Sequence, residues 1–542
     1  MKDISMTSHL KNNRRIVLQS ILGTSTIALG GMHQILAYAQ APTLITSDKN
    51  RPKSPSGTQT GDVNTNSGIL WSRSDREAKM WVTWDTTQSF SNPKVISGPY
   101  ALESTDFTSR VDLRGLPSGQ DIFYKVTYED LKTGAKSQED IGHFRTSPAQ
   151  KKSIRFLWSG DTAGQGWGIN TDLGGMTIYE SMRKLNPDFF IHSGDNIYAD
   201  GPIKAEVTIS EGPLKGMVWK NIVTEEKSKV AETLKEFRGN YRYNMMDENV
   251  RRFNSEIAQI WQWDDHEVLN NYSSSKDISA DTRYTEKKVP LLVARATRAF
   301  LENAPMRWYS QQEEERIYRK ISQGPLLDIF VIDMRSYRGG NSYNRQETLN
   351  AESQYLGPVQ IEWLKTELKN SKAVWKVIAS DMPLGLLVED GKDEQGRMKF
   401  EAVANGNGPA LGREIEIADI LSHIKRQKIR NTVWLTADTH YTAAHYFNPN
   451  LAQFSDFDPF WEFMTGPLSS GTFGPNQPDN TFGVEVKFQK APTDGRINLS
   501  PAEGYQFFGD IQIDGKTSEL LVDLRDSKGV SLWSTKLQPK FV

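Results

Sequence analysis

The sequence predicts an α/β core preceded by a small all-β domain, and three observations carry that expectation. Two Gly-Asp pairs, Gly160-Asp161 and Gly194-Asp195, stand thirty-four positions apart, and each closes a short apolar run: Ile154-Arg155-Phe156-Leu157-Trp158 and Asp188-Phe189-Phe190-Ile191-His192. Runs of this length, rich in branched and aromatic side chains, read as buried parallel strands. Between them Met176, Ile178, Tyr179, Met182 and Leu185 fall at helical spacing, closed by Asn186-Pro187, so the segment reads as a βαβ unit. Upstream of residue 147, short alternating runs separated by turn residues read as a sandwich.

Taken in order, residues 1–39 read as an export signal. Asn13-Arg14-Arg15-Ile16-Val17-Leu18-Gln19 resembles a twin-arginine signal, a mild apolar stretch follows, and Ala37-Tyr38-Ala39 offers a small-x-small cleavage site. A membrane anchor is the competing reading. It is disfavoured because Gln19, Ser20, Thr24, Ser25 and Thr26 interrupt the run well short of the roughly 20 apolar residues a spanning helix needs. The mature chain is therefore expected to lack a transmembrane helix and to lie in the periplasm or outside the cell, after passage through the twin-arginine machinery. Residues 40–60, rich in Thr, Ser, Lys, Pro and Gly, read as a flexible leader.

Residues 61–147 read as a β-sandwich domain of immunoglobulin or fibronectin type, with strands at 68–72, 79–84, 110–113, 122–128 and 143–146. Residues 151–542 form the α/β domain. Further strands are expected at 257–263, 327–333, 375–380 and 432–436, each ending in Asp or meeting one almost at once. A helix is expected at 354–370, and antiparallel strands at 510–533.

Composition excludes several classes. The 542 residues carry a formal charge of −2; beyond residue 39, 61 basic and 66 acidic side chains leave −5, with no evident nucleic-acid-binding face. Cysteine is absent, so any metal must be held by oxygen and histidine donors. Only six histidines remain after residue 39, which favours hard ions over a histidine-rich zinc centre.

Five strand ends carry polar clusters: Asp161; Asp195 with Tyr198; Asp264-Asp265-His266-Glu267; Asp381; and Asp438-Thr439-His440. A single such carboxylate is commonly a cap or turn former. Five on one sheet edge repel each other, and bound cations or protons must lower that cost. Two hard cations about 3.5–4 Å apart suit an in-line phosphoryl displacement. Tyr198, as phenolate, suits ferric iron, with Asp195 bridging to a second ion; the alternative is a ring packed beneath a loop.

Gly194-Asp195-Asn196-Ile197-Tyr198 resembles the GDxxY motif of purple acid phosphatases. Trp263-Asp264-Asp265-His266-Glu267-Val268 with Asn270-Asn271 is similar to the WDDHE motif of PhoD-type alkaline phosphatases. Asp333-Met334-Arg335-Ser336-Tyr337-Arg338, Ala304-Pro305-Met306-Arg307 and Asp438-Thr439-His440 look like that family's later motifs. The resemblance covers nearly the whole chain and implies a metallophosphoesterase β-sandwich core flanked by helices.

It also implies one ferric ion held by Asp161, Asp195, Tyr198 and His440, and one or two calcium ions sharing Asp195 and using Asp265 and Asp438. Whether Asn270 or Asn271 replaces Asp265 stays open. Asp381 is a secondary candidate for calcium. Asp161 departs from the PhoD pattern, which usually has cysteine near there. The loop 160–168 resembles the branch that includes certain secreted bacterial phospholipases D, so phosphomonoesters, phosphodiesters and phospholipid head groups all remain possible substrates.

The implied mechanism is in-line attack on phosphorus by a metal-bound hydroxide. His266 would protonate the leaving oxygen and Glu267 orient its ring, while Arg335 and Arg338 clamp phosphate or serve as surface ion-pair partners. A serine hydrolase is disfavoured, because no Gly-x-Ser-x-Gly elbow occurs. A glycosidase using Asp265 and Glu267 is disfavoured because residues two apart on an extended strand point the same way. A non-catalytic surface binding protein is the remaining alternative.

Overall fold

The structure, a computed structural model, describes residues 48–308 and 315–541. The expected export signal lies outside the described residues. Pro52–Val542 form one compact unit, and no described helix is long and apolar enough to cross a membrane.

Two β-sheets face each other at the centre of this unit. One has nine strands, in the order Ser531–Leu537, Leu520–Asp526, Phe507–Ile513, Ile154–Ser159, Phe189–Ser193, Ala258–Gln262, Thr58–Gly61, Ser67–Arg73 and Thr108–Arg114. The other has seven: Arg319–Ser322, Leu327–Val331, Trp375–Ala379, Thr432–Thr436, Phe460–Met464, Thr442–Phe447 and Val484–Lys490. The middle strands of both run parallel. Their carboxyl ends are where an open α/β sheet binds ligands.

The period-2 rule explains why these strands read as continuous apolar runs. Phe156, Trp158, Phe189 and Ile191 point inward against Ile329, Val331, Val377 and Leu435. The alternate residues Leu157 and Phe190 pack outward on Ile178 and Met182 of helix Thr177–Arg183 and on Val250 and Phe253 of helix Glu248–Glu256. On the other sheet Phe330, Ile378 and Trp434 meet Leu364 of helix Pro358–Asn370 and Ile417 of helix Glu414–Arg426. Each fully buried side chain of this kind stabilises by about 1.5–3 kcal/mol. The result is a β-sandwich covered by helices on both faces.

The expected helix 354–370 begins at Pro358, whose fixed φ suits the first helical position, after Gly357 at φ 79°. Helix Glu248–Glu256 starts at Asp247, which accepts from the backbone N–H groups of Asn249 and Val250.

The N-terminal strands form the expected all-β, fibronectin-like domain. Its four-stranded sheet runs Lys94–Ala101, Ala78–Asp85, Asp121–Asp130, Asp140–Arg145. Lys94–Ala101 escapes sequence reading because it is a largely exposed edge strand carrying Gly98-Pro99, and proline in a sheet is confined to such edges.

The leader requires correction. Thr58–Gly61 is buried and strand-forming, pairing antiparallel with Ser67–Arg73 and parallel with Ala258–Gln262. The β-sandwich's second sheet, Thr58–Gly61 with Ser67–Arg73 and Thr108–Arg114, is therefore the outer end of the core's own sheet.

Candidate metal centre

One rule places most of the candidate ligands: an aspartate stands two residues beyond the end of six of the central strands. Asp161 follows Ser159, Asp195 follows Ser193, Asp264 follows Gln262, Asp333 follows Val331, Asp381 follows Ala379 and Asp438 follows Thr436. Four residues of these turns, Asp161, Asp195, Asp438 and His440, have φ of 70°, 50°, 67° and 61°. Left-handed backbone is uncommon without glycine and clusters at functional sites.

The turns converge. Three groups of donors each lie with their ligand atoms within 4.8 Å of one another: Asp161, Asp195 and His440; Asp195, Asp265 and His266; and Asp264, Asp265 and Asp438. Asp195 is common to the first two and Asp265 to the last two. Nearly all of these side chains are buried.

His440 is presented for ligation. Its Nδ1–H is committed to the Gly471 carbonyl, which leaves the Nε2 lone pair facing Tyr198 Oη at 2.8 Å and Asp161 Oδ1 at 3.3 Å. Burial holds its pKa down to about 4, so the ring is neutral. Tyr198 packs against His266 with ring centroids 4.2 Å apart and the planes tilted by 32°, and Oη lies 3.4 Å from Asp161 Oδ1. Its ring does pack beneath the 160–168 loop, where a Cβ at Gly164 would come within 2.3 Å of Cε2. Packing fixes the ring while the hydroxyl faces the donors, so the two readings of Tyr198 are compatible.

The carboxylates are under electrostatic strain. Burial, above all, pushes Asp161 up to about 8 and Asp195, Asp264 and Asp438 well above the ordinary range. Asp265 is the exception: burial raises it, but His266 and Arg335 more than offset that. Asp161 Oδ2, Asp264 Oδ2 and Asp265 Oδ1 are buried with no hydrogen-bond partner among the described residues. Orphaned carboxylate oxygens beside a neutral imidazole are the donor set a hard cation completes, so the residues fit a metal centre.

Two expectations about roles are corrected. His266 is oriented by Asp200, whose Oδ1 meets Nδ1 at 2.6 Å, and not by Glu267. Glu267 instead accepts from the backbone N–H of Asn196 at 2.6 Å and of Asp264 at 2.7 Å, tying two ligand turns together. Asp265 and Glu267 do not share a strand face, since the strand ends at Gln262; they turn to different partners.

Neither arginine is a surface ion-pair partner. Arg335 is buried among Asp264, Asp381, Glu401 and Asp438, so its positive charge is already engaged by carboxylates. Arg338 donates to the Glu401 carbonyl and to Asn341 and lies over the Tyr355 ring. Asp381 falls outside the three donor groups; its Oδ2 accepts from Arg335 Nε at 3.1 Å. Asn271 supports Asp265 through its backbone N–H, while its side chain is engaged by Asp390 and Asn270.

Asp200 and Glu401 were not found from sequence. Asp200 lies two residues beyond Tyr198 and offered a weak signal by proximity. Glu401 follows a short hairpin strand, Met398–Phe400, and no motif marks it.

Comparison with known proteins follows the same lines. Residues 156–524 match the PhoD-like phosphatase family, and residues 38–148 match that family's N-terminal domain. The chain belongs to the PhoD-like phosphatase family. It is thus a phosphoester hydrolase with a metal-binding centre. It is 25% identical over 473 residues to alkaline phosphatase D of Bacillus subtilis (strain 168), covering 84% of this chain and 73% of that protein. Its fold is similar to a solved structure of PhoD, with a TM-score of 0.65 at 18% identity over 91% of this chain and 94% of the other. A purple acid phosphatase, PPD1 from yellow lupin seeds, is similar with a TM-score of 0.53 at 11% identity, over 90% of this chain and 74% of the other.

Proposed function

We propose that this PhoD-like protein is an exported hydrolase of phosphomonoesters or phosphodiesters that works with one ferric ion and one or two calcium ions. The observation that carries the reading is the set of three overlapping donor groups, with carboxylate oxygens left unpaired among the described residues and the Nε2 of His440 turned toward Tyr198 and Asp161. Asp161, Asp195, Tyr198 and His440 would hold iron; Asp195, Asp265 and Asp438, with Asp264 beside them, would hold calcium. When bound, such cations supply an acidified water as nucleophile and positive charge at the phosphoryl oxygens.

The remaining chemistry belongs to the chain. His266 has Nδ1 held by Asp200, which leaves the opposite ring nitrogen to hand a proton to the leaving oxygen. Burial is the largest single influence and lowers the His266 pKa, but Asp200, Asp265 and Asp195 together outweigh it and raise the pKa well above its usual value. Arg335 balances the carboxylates around it and keeps Asp264 and Asp438 oriented. Export is supported by Arg14-Arg15 and the cleavage-like Ala37-Tyr38-Ala39.

The test is hydrolysis of nitrophenyl phosphate, bis-nitrophenyl phosphate and phosphatidylcholine, each with calcium and with EGTA. At least one ester should turn over with calcium and stall with EGTA, and the preferred one assigns the substrate class. Silence on all three would sink the proposal.

A further inference from the structure

Beneath the turn that carries Asp195 lies a chamber of about 30 Å³ among buried residues, lined by Thr162, Tyr179, His192, Asn196, Tyr241 and Asn254 among others. Three side-chain atoms of its lining residues, Asn196 Oδ1, Tyr241 Oη and His192 Nδ1, are buried with no hydrogen-bond partner among the described residues. Leaving a polar atom in that condition carries its full desolvation penalty. A single water needs about 10–15 Å³ and two to four polar partners, and the chamber offers both. None of the lining side chains is acidic, so nothing there compensates a cation.

We propose that this chamber is a water-binding site, and that its water fixes Asn196, which makes Tyr241 a positioning residue for the metal centre. The orientation of Asn196 is set by the protein: Nδ2 donates to the Gln262 carbonyl and to Glu267 Oε1, and the backbone N–H also donates to Glu267. Oδ1 is the atom left to face the chamber. A water accepts from the Tyr241 hydroxyl and donates to Asn196 Oδ1. One hydrogen and one lone pair remain for whichever tautomer His192 presents at Nδ1.

The far wall is braced in the same way. His192 Nε2 pairs with Thr162 Oγ1 at 2.9 Å, Thr162 Oγ1 with Tyr179 at 2.9 Å, and the Thr162 N–H donates to the Asp195 carbonyl at 2.9 Å. The chamber therefore touches the Asp195 turn from both sides, through Asn196 and through Thr162. Partners one step removed from metal ligands typically change metal affinity by 10–100-fold when removed. The inference concerns the water and its lever on the ligands, and holds whichever ions occupy the centre.

The experiment is a crystal structure of the metal-loaded protein at about 1.6 Å, together with the variants Tyr241→Phe and Val250→Ile. Density is expected in the chamber within hydrogen-bond reach of Asn196 Oδ1 and Tyr241 Oη. Tyr241→Phe keeps the ring stacked on Trp261, with centroids 6.2 Å apart, and removes only the hydroxyl. Val250, another lining residue, extended by one carbon fills the chamber while leaving Tyr241 intact. Both variants should lose the water and release metal to a chelator about tenfold faster, with melting temperatures close to wild type. An empty chamber in the wild type overturns the proposal. So does a folded Tyr241→Phe protein that releases metal at the wild-type rate, because ring packing alone would then account for the residue.

Discussion

A phenol buried between a histidine and an aspartate gains nothing by ionising unless a cation is there to meet it. Burial, Asp195 and Asp161 all push the Tyr198 pKa well above its usual value, so the side chain is a phenolate only with metal bound. Tyrosinate on ferric iron absorbs visible light, so the wild type should be coloured and Tyr198→Phe pale at equal iron. A coloured variant would remove Tyr198 from the ligand set. Asp161 offers a second test, because its Oδ2 has no other partner among the described residues. Asp161→Ala should strip iron and cut turnover by more than about tenfold. Asp161→Cys should keep iron but bleach more readily with mild reductant, thiolate being the softer donor. Near-normal turnover in the alanine variant would make Asp161 a turn former only. Asp161, Asp195 and Asp438 were legible in sequence because each follows an apolar run at the same offset, and Asp265 because it adjoins Asp264 at that offset. Asp200 and Glu401 were not: Asp200 sits on the Asp195 loop but past the strand-end position, and Glu401 comes from a distant hairpin.

Among the elements, the strand ends were readable to within a residue or two wherever both faces of a strand are buried. What misled was polarity: Thr58–Gly61 has the composition of a linker, yet it is buried because its backbone completes a sheet. A Cβ at Gly61 would stand 2.3 Å from the Pro305 carbonyl and 2.6 Å from that of Gln259. Gly61→Val should therefore destabilise by about 3 kcal/mol, read from the urea midpoint; a change below about 0.5 kcal/mol would mean the strand is dispensable. Helix Glu414–Arg426 gives a pH test. Burial, helped by Asp479, raises the Glu414 pKa to about 8. The folded state keeps this proton while the unfolded chain loses it near the ordinary glutamate pKa. Stability is therefore fully present below that value and is lost as pH rises toward 8. Glu414→Gln should flatten this fall, raising the melting temperature at pH 8.5 relative to wild type and having little effect at pH 4. Parallel melting curves for the two proteins across that range would contradict the assignment.

At the scale of the whole molecule, one nine-stranded sheet runs from the C-terminal strands through the metal turns into the N-terminal domain. The turns that carry Asp161, Asp195 and Asp264 are therefore anchored in a single framework, which holds like charges closer than they would stay alone. Cations, rather than protons, are expected to make that crowding tolerable. The direct measurement is elemental analysis of the purified protein paired with phosphoesterase assay, before EGTA, after EGTA, and after calcium is returned. The predicted result is about one iron retained throughout, with calcium and activity lost together and restored together, since oxygen-ligated calcium exchanges freely. Full activity in protein that holds no stoichiometric metal would mean that protons, not cations, relieve the crowding.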